Sequence, residues 1–311
     1  MRNILVIGSL NMDFVIEVSK MPLPGQTILG KDFKLVPGGK GANQAYAMGK
    51  LGAKTSMIGA IGNDEYGEKL LENLNSVNVN IDGIIKLENE NTGCAFINVD
   101  ENAENSIVVI GGANVRITKE MIDANFKLIE QAEIIVMQLE IPLDVVEYIA
   151  QKAKKEGKLI ILDPAPALRG LSKEILSNID IIKPNETEIQ IISGMEIKSE
   201  EDIIKAAKSL IEKGVKNVIV TLGGAGSLLV TKDSEKKFSS PKVKAIDTTA
   251  AGDTFTAGLA KSLLEGKSIE ESIKFGHIAS AIAVTRKGAQ TSIPSLEDID
   301  EFIKQQKVSY N

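Results

Sequence analysis

The sequence predicts a three-layer α/β/α fold with a mainly parallel central sheet and a small projecting β-sheet lid. Two observations carry this expectation. Short apolar, β-rich runs alternate with amphipathic segments along most of the 311 residues, which is how a parallel sheet covered by helices on both faces reads in sequence. Two stretches, 13–36 and 91–110, break that rhythm with strand-like runs and turn residues where crossover helices would otherwise stand.

Core strands are expected at 4–7, 55–60, 134–138, 159–162, 179–182 and 217–221, where apolar residues run together between polar or glycine boundaries. Between them, segments such as 143–156 and 201–213 space apolar residues by three and four with charges opposite, as crossover helices do. The first irregular stretch holds Phe14-Val15-Ile16 with turns at Pro22 and Pro24-Gly25; the second holds Ala95-Phe96-Ile97 with a turn over 100–105. Two sequence-distant insertions forming one sheet at the open end of an α/β core read as a lid over a ligand site. A pair of decorative hairpins is the plainer alternative. The expected division is a core of 1–12, 37–90 and 111–311 and a discontinuous lid of 13–36 and 91–110. No Pro/Gly/Ser-rich linker, repeat or low-complexity tract divides the chain further.

Composition removes several classes of function. A hydrophobic fraction of 43% suffices for a buried core, and a net charge of -6 opposes a nucleic-acid surface, which needs clustered Lys and Arg. The single cysteine, Cys94, has no disulfide partner in the chain, and the single histidine, His277, cannot nucleate a His/Cys metal site. Both fit a reducing cytoplasm and leave carboxylates to do any acid–base work. The apolar run at 4–7 ends at Gly8, and no later run is long enough to span a bilayer, so neither a signal peptide nor a membrane anchor is expected.

The most informative segment is Asp247-Thr248-Thr249-Ala250-Ala251-Gly252-Asp253-Thr254-Phe255, followed by small and apolar residues that predict a helix to about Leu264. Small residues at Ala250, Ala251 and Gly252 let backbone N–H groups converge, and the helix adds its unsatisfied donors and positive dipole end. That makes an anion site. Asp253 in the same turn is a helix cap on one reading and on the other a base for a hydroxyl that attacks the bound anion.

The stretch 247–260 resembles, at every position, the second signature of the ribokinase (PfkB-type) carbohydrate and nucleoside kinase family. The first signature is similar to Gly38-Gly39-Lys40-Gly41-Ala42-Asn43-Gln44-Ala45. Further matches run along essentially the whole chain in order: Gly8-Ser9-Leu10-Asn11-Met12-Asp13, Met137-Gln138-Leu139-Glu140, Asp163-Pro164-Ala165-Pro166-Ala167, Lys183-Pro184-Asn185-Glu186-Thr187-Glu188 and Thr221-Leu222-Gly223-Gly224-Ala225-Gly226. The resemblance implies a ribokinase-like fold and ATP-dependent phosphorylation of a sugar hydroxyl, with Asp253 as base and Ala250, Ala251 and Gly252 in the anion hole. Ribose, phosphorylated at O5, is the implied substrate. 2-Deoxyribose, fructose, a nucleoside or a sugar phosphate are alternatives within the family.

Each piece also makes physical sense. Glycines at 38, 39 and 41 let backbone approach a small polar ligand, while Lys40 and Asn43 offer donors to sugar hydroxyls. Asn11 and Asp13 are two apart near the end of the first strand, so extended backbone puts both on one face, at the edge where open α/β sheets bind ligands. The resemblance assigns both to the sugar, together with Gly39, Gly41 and Glu140, though Glu140 could instead cap a nearby loop. It gives Asn185 and Glu188 to the water shell of a nucleotide-bound Mg²⁺, which keeps most of its waters. Thr221, Leu222, Gly223, Gly224, Ala225 and Gly226, with Gly252, are implied to pass around ATP, and His277 to lie beside the adenine.

The loop 283–292 and the Asp247–Thr249 turn are implied to hold a monovalent cation such as K⁺, through Asp247, Thr249, Ala283, Arg286, Gly288 and Ser292. Mainly carbonyl ligation suits a large, weakly hydrated ion. A Rossmann oxidoreductase is disfavoured, because Gly8-Ser9-Leu10-Asn11 supplies no Gly-x-Gly-x-x-Gly after the first strand. A non-catalytic sugar-binding regulator would have lost Asp253 or its glycine. Asp163 departs from the Asn frequent before Pro-Ala-Pro-Ala, which leaves its role open. Apolar lid strands with open edges predict a homodimer formed through the lids.

Overall fold

A computed structural model describes residues 2–102 and 104–306. In chain order, the four apolar residues of β1 (Ile4–Ile7) lead through Gly8 into β2 (Asn11–Val18) and β3 (Gly30–Gly38), then α1 (Lys40–Lys50) and β4 (Thr55–Gly62). Helix α2 (Glu65–Asn75) precedes β5 (Asn80–Leu87), β6 (Gly93–Val99) and β7 (Asn105–Ile110). Short helices α3 (Lys119–Ala124) and α4 (Phe126–Gln131) bring the chain to β8 (Ile134–Met137), α5 (Leu143–Lys155), β9 (Leu159–Leu162), α6 (Lys173–Leu176) and β10 (Ile181–Ile182). Then come α7 (Glu186–Ser193), α8 (Glu200–Glu212), β11 (Asn217–Thr221), β12 (Ser227–Thr231) and β13 (Glu235–Phe238). Helices α9 (Ala251–Leu264), α10 (Ile269–Ala283) and α11 (Leu296–Gln306) close the fold.

The strands form two sheets. One has nine strands in the order β13-β12-β11-β10-β9-β8-β1-β4-β5, parallel from β11 to β5 with an antiparallel edge at β12 and β13. Its central strands β1, β8 and β4 are buried along their whole length, because helices cover both faces. Two apolar clusters fill the layers, one with α5, α7 and α8, the other with α1, α2, α9 and α10. The second sheet has four strands ordered β3-β2-β6-β7. The chain enters it twice, and β2 and β6, from different insertions, pair in parallel.

Several boundaries differ from expectation. Asn11 and Asp13 do share a face, but they lie on β2 of the small sheet and not at the end of the first core strand, since Gly8 turns the chain straight out of β1. That sheet therefore starts at Asn11 and runs to Gly38, beyond the expected bounds of 13 and 36. Strand β10 keeps only two of the expected residues, because Ile179 closes the turn after α6 through its bond to the Leu176 carbonyl. Strands β5, β12 and β13 were hidden from pattern reading: β5 and β13 lie at sheet edges, half solvated, with Asp, Lys and Glu among their residues.

Candidate active site

Everything converges on the N-terminus of α9. Its cap, Ala250, holds a left-handed conformation at φ 57°, unusual without a glycine's freedom. The Ala251 N–H turns back to the Thr248 carbonyl at 3.2 Å, and the Thr254 N–H opens the helix on Ala250 O at 2.9 Å. The N–H groups of Ala250, Gly252 and Asp253 find no acceptor among the described residues. Sequence reading gave Ala251 the same duty as its neighbours; here its donor is already engaged. Three free donors in one turn at a helix N-terminus are a receptor for an anion.

Asp253 is 6% exposed in that same turn. Its carboxylate does not cap the helix. It accepts from Asn43 Nδ2 at 3.1 Å and Gln44 Nε2 at 2.9 Å, both presented by α1. Helix α1 can come this close because Gly39 and Gly41 at its start carry no side chain. A Cβ on Gly41 would lie 2.6 Å from Ser9 N, and one on Gly39, itself at φ 85°, 2.7 Å from Asn11 N. Asn43 spends its other end as well, with Oδ1 accepting from Gln290 Nε2 at 3.0 Å, so it orients Asp253 before it can serve a sugar.

A second group of charged residues gathers around Lys40. Asp13 lies directly over Gly38, where any side chain would collide with its carboxyl group. Burial, then the charges of Glu140 and Asp253, push the Asp13 carboxyl up to about 7. Lys40 is pulled down by burial but more strongly raised by Asp253, Asp163, Glu140 and Glu188 around it, so it stays a cation. Glu140 does cap a neighbouring element, with Oε2 accepting the Lys40 N–H at 2.9 Å and the Ser9 hydroxyl. Its second oxygen makes no protein hydrogen bond among the described residues.

A cavity of about 740 Å³ extends from Lys40 and Asp253 along the C-terminal ends of β9, β10 and β11. Of the residues expected around the nucleotide, Thr221, Gly223, Gly224 and Gly226 line it, and so does Gly252; Leu222 and Ala225 do not. His277 lines it from α10, its Nε2 at 2.8 Å from the Ser227 hydroxyl, and burial pushes the imidazole down to about 4, so it is neutral. Asn185 and Glu188 line the same cavity and bond to each other as a capping box on α7, each with its backbone N–H on the other's side chain at 2.8 Å. That leaves one Glu188 oxygen to face the cavity, its carboxyl raised by burial and then by Asp163.

Asp163, whose role the sequence left open, pairs with Lys183 at 2.9 Å, both side chains at most 5% exposed. It also accepts from Gln44 Nε2 at 2.8 Å and Thr256 Oγ1 at 3.3 Å. A buried carboxylate needs such partners. Sequence reading did not single out Gln44, Lys183, Ser9 or Gln290 for the site. All four lie within the quoted motifs or the 283–292 loop, which was the available signal.

Near the other end of the cradle, Asp247 ties two loops together. Its Oδ1 accepts from Thr249 N and Oγ1 at 2.9 and 2.6 Å, and its Oδ2 from Gly288 N at 2.8 Å, while Ile246 N reaches Val284 O at 2.7 Å. The two expected cation loops thus meet. Arg286, however, commits its guanidinium to Asp298 at 2.8 and 3.0 Å, and the carbonyls of Ala283 and Ala289 accept from Arg286 N and Ser292 respectively. Any part Arg286 takes in holding an ion would be through its backbone.

The model of the pfkB family of carbohydrate kinases matches residues 1–296. This chain belongs to that family. It is 44% identical over 303 residues to a ribokinase of Haemophilus influenzae, covering 97% of this chain and 99% of the relative. To a deoxyribokinase of Salmonella typhi it is 38% identical over 301 residues, covering 97% and 98%. Among solved structures, Arabidopsis thaliana ribokinase complexed with ribose and ATP superposes with a TM-score of 0.92 at 36% identity, covering 98% of this chain and 99% of that one. The fold is therefore the ribokinase-like α/β fold with its separate small sheet. Among the described residues no helix is long and apolar enough to cross a membrane.

Proposed function

We propose that this chain transfers the γ-phosphoryl group of ATP to the O5 hydroxyl of D-ribose, giving ribose 5-phosphate and ADP. The observation that carries the reading is the single turn that places the Asp253 carboxylate beside the free N–H groups of Ala250, Gly252 and Asp253. The O5–P bond forms as the bond from phosphorus to the β,γ-bridging oxygen breaks, and the O5 proton passes to Asp253. Phosphoryl transfer asks mainly for positioning and charge neutralisation. The free donors neutralise the transferring oxygens, while Lys40 places a cation between the sugar side and the cavity. Asn11, Asp13, Lys40 and Glu140 bind the sugar, Gly39 and Gly41 let the backbone close on it, and Asn43 holds the base. Residues 221–226 with His277 enclose the nucleotide.

The small sheet acts as a lid, and the core it covers is the rest of the chain. Magnesium fits as an ion that arrives with the phosphates, because no cluster of three His, Cys, Asp or Glu capable of holding a metal occurs among the described residues. When bound, it neutralises phosphate charge; Asn185 and the free Glu188 oxygen would hold its waters. A K⁺ ion fits between the joined loops at Asp247–Thr249 and 283–292, where it would stiffen the turn leading to Ala250. Apolar lid residues left exposed, Phe33, Ile107, Val108 and Val109, support a homodimer through the lids. The acidic charge, the single cysteine and the phosphorylated-sugar chemistry support a cytoplasmic enzyme.

A second reading, 2-deoxyribose as the sugar, is favoured by the 38% identity to a deoxyribokinase. Turnover of ribose, 2-deoxyribose, fructose and a nucleoside, each with ATP in a coupled ADP assay, separates the two. Ribose is expected to give the highest kcat/KM. A higher value for 2-deoxyribose establishes the second reading, and no turnover with any of the four overturns both.

A further inference from the structure

Asn114 stands in the turn Gly112–Arg116 and is 1% exposed. It reaches across to the start of the small sheet, where the Leu10 backbone atoms it touches have a fixed sense. The Leu10 backbone N–H can only donate, so the Asn114 atom 2.9 Å away is Oδ1. The other end of that amide is therefore Nδ2, which donates one proton to the Leu10 carbonyl at 3.0 Å and the other to Asn11 at 2.8 Å. The Asn11 atom that receives it must be Oδ1. Gly93 lies against this contact, where a side chain would collide with both Asn114 Nδ2 and Asn11 Oδ1.

What remains of the Asn11 amide is Nδ2, which makes no hydrogen bond to another described residue. Two residues on, on the same face of β2, stands the Asp13 carboxyl group. We infer that Asn114 fixes the sense of the Asn11 amide, so that Asn11 presents a donor to a sugar hydroxyl whose own proton, or its neighbour's, goes to Asp13. A hydroxyl both accepts and donates, and a donor beside an acceptor complements it where two acceptors would not. Asn114 is a positioning residue for sugar selection. The inference rests on the ribose reading.

The test compares ribose with 2-deoxyribose, 2-deoxy-2-fluororibose, 3-deoxyribose and 3-deoxy-3-fluororibose in the intact enzyme with ATP. Fluorine accepts weakly and cannot donate, and hydrogen does neither, so the fluoro-to-deoxy ratio of kcat/KM isolates donation from the protein. At one of the two positions the ratio is expected to be about 3 to 10. Asn114→Asp keeps an acceptor for the Leu10 N–H but cannot donate to Asn11, which frees that amide to turn. This variant should raise the KM for ribose about tenfold with kcat within about twofold, and bring the ratio close to one. Asn11→Ala leaves Asn114 bonded to Leu10 and should also bring the ratio to one, which keeps the test open if Asn114→Asp does not fold. Ratios of one or less at both positions in the unmodified enzyme overturn the inference, as does a ratio that persists in either folded variant. Absence of turnover with ribose itself is a separate observation, which fails the ribose reading and this inference with it.

Discussion

Asp253 receives hydrogen bonds from two amides of α1, so Asp253→Asn both removes the proposed base and leaves an amide that can accept from only one of Asn43 and Gln44. Turnover is expected to fall by roughly 10²- to 10⁴-fold, with ATP binding by calorimetry retained; near-unchanged turnover would remove Asp253 from its role. Asp13 carries a pH signature. Its folded carboxyl sits at about 7, above its ordinary 3.8, because of burial and then Glu140 and Asp253. The folded state thus keeps a proton that the unfolded chain loses, and the stability this contributes is full below pH 3.8 and lost as pH rises to about 7. The three-unit shift sets a ceiling of roughly 4 kcal/mol. Asp13→Asn should raise the unfolding temperature at pH 8 and leave it nearly unchanged at pH 4. In the proposed sugar site hydroxyls donate to the ionised form, so kcat/KM for ribose should drop as pH falls below 7, by up to about tenfold per unit, and be flat in that range for Asp13→Asn. A pH-independent unfolding difference between the two proteins would contradict the raised carboxyl.

Helix α1 serves the site only because it lies hard against the turn leaving β1. Gly41→Ala would put a Cβ 2.6 Å from Ser9 N and 2.7 Å from Ser9 O, backbone that cannot step aside. A loss of about 1–3 kcal/mol is expected by thermal or urea unfolding. Turnover should fall with it, since α1 also carries Lys40, Asn43 and Gln44; an unchanged unfolding midpoint would show that the contact yields cheaply. The turn before α9 depends likewise on its neighbour. Asp247 binds Gly288 N at 2.8 Å and so joins the two loops expected to hold K⁺. At equal ionic strength KCl should give faster turnover than NaCl or choline chloride. Equal rates in all three salts would leave that loop junction a purely structural one.

Over the whole molecule, the exposed apolar surface concentrates on the small sheet, where Ile107, Val108, Val109 and Ile110 are each more than half exposed along an edge strand. Open apolar edges invite pairing. Light scattering at micromolar concentration is expected to give the mass of a dimer, and the double change Ile107→Glu, Val109→Glu that of a monomer with an elevated KM for ribose. A monomer from the unaltered chain would reassign that surface to the lid's own movement.

Much of the architecture was legible in the amino-acid order, because helix and strand periodicity, glycine turns and the Ala250–Asp253 cradle are local properties of neighbouring residues. Asn185, Glu188 and the glycines of 221–226, which also line the cavity, were picked out through the family resemblance, because alone Asn-x-x-Glu is a helix cap and Gly-Gly a turn. Strands β5 and β13 were not, since an edge strand needs little apolar patterning. The tertiary structure alone decided that Asn11 and Asp13 belong to the small sheet. It also decided that Asp163 is answered by Lys183 and that Asp253 is held by Asn43 and Gln44. The sense of the Asn11 amide was set in the same way, by Asn114 from 103 residues away. These are side-chain hydrogen bonds and an ion pair between residues distant in sequence, and no periodic pattern encodes them. They exist only because β9 runs beside β10, α1 packs on α9 and the 112–116 turn packs on Leu10, which brings the partners within reach.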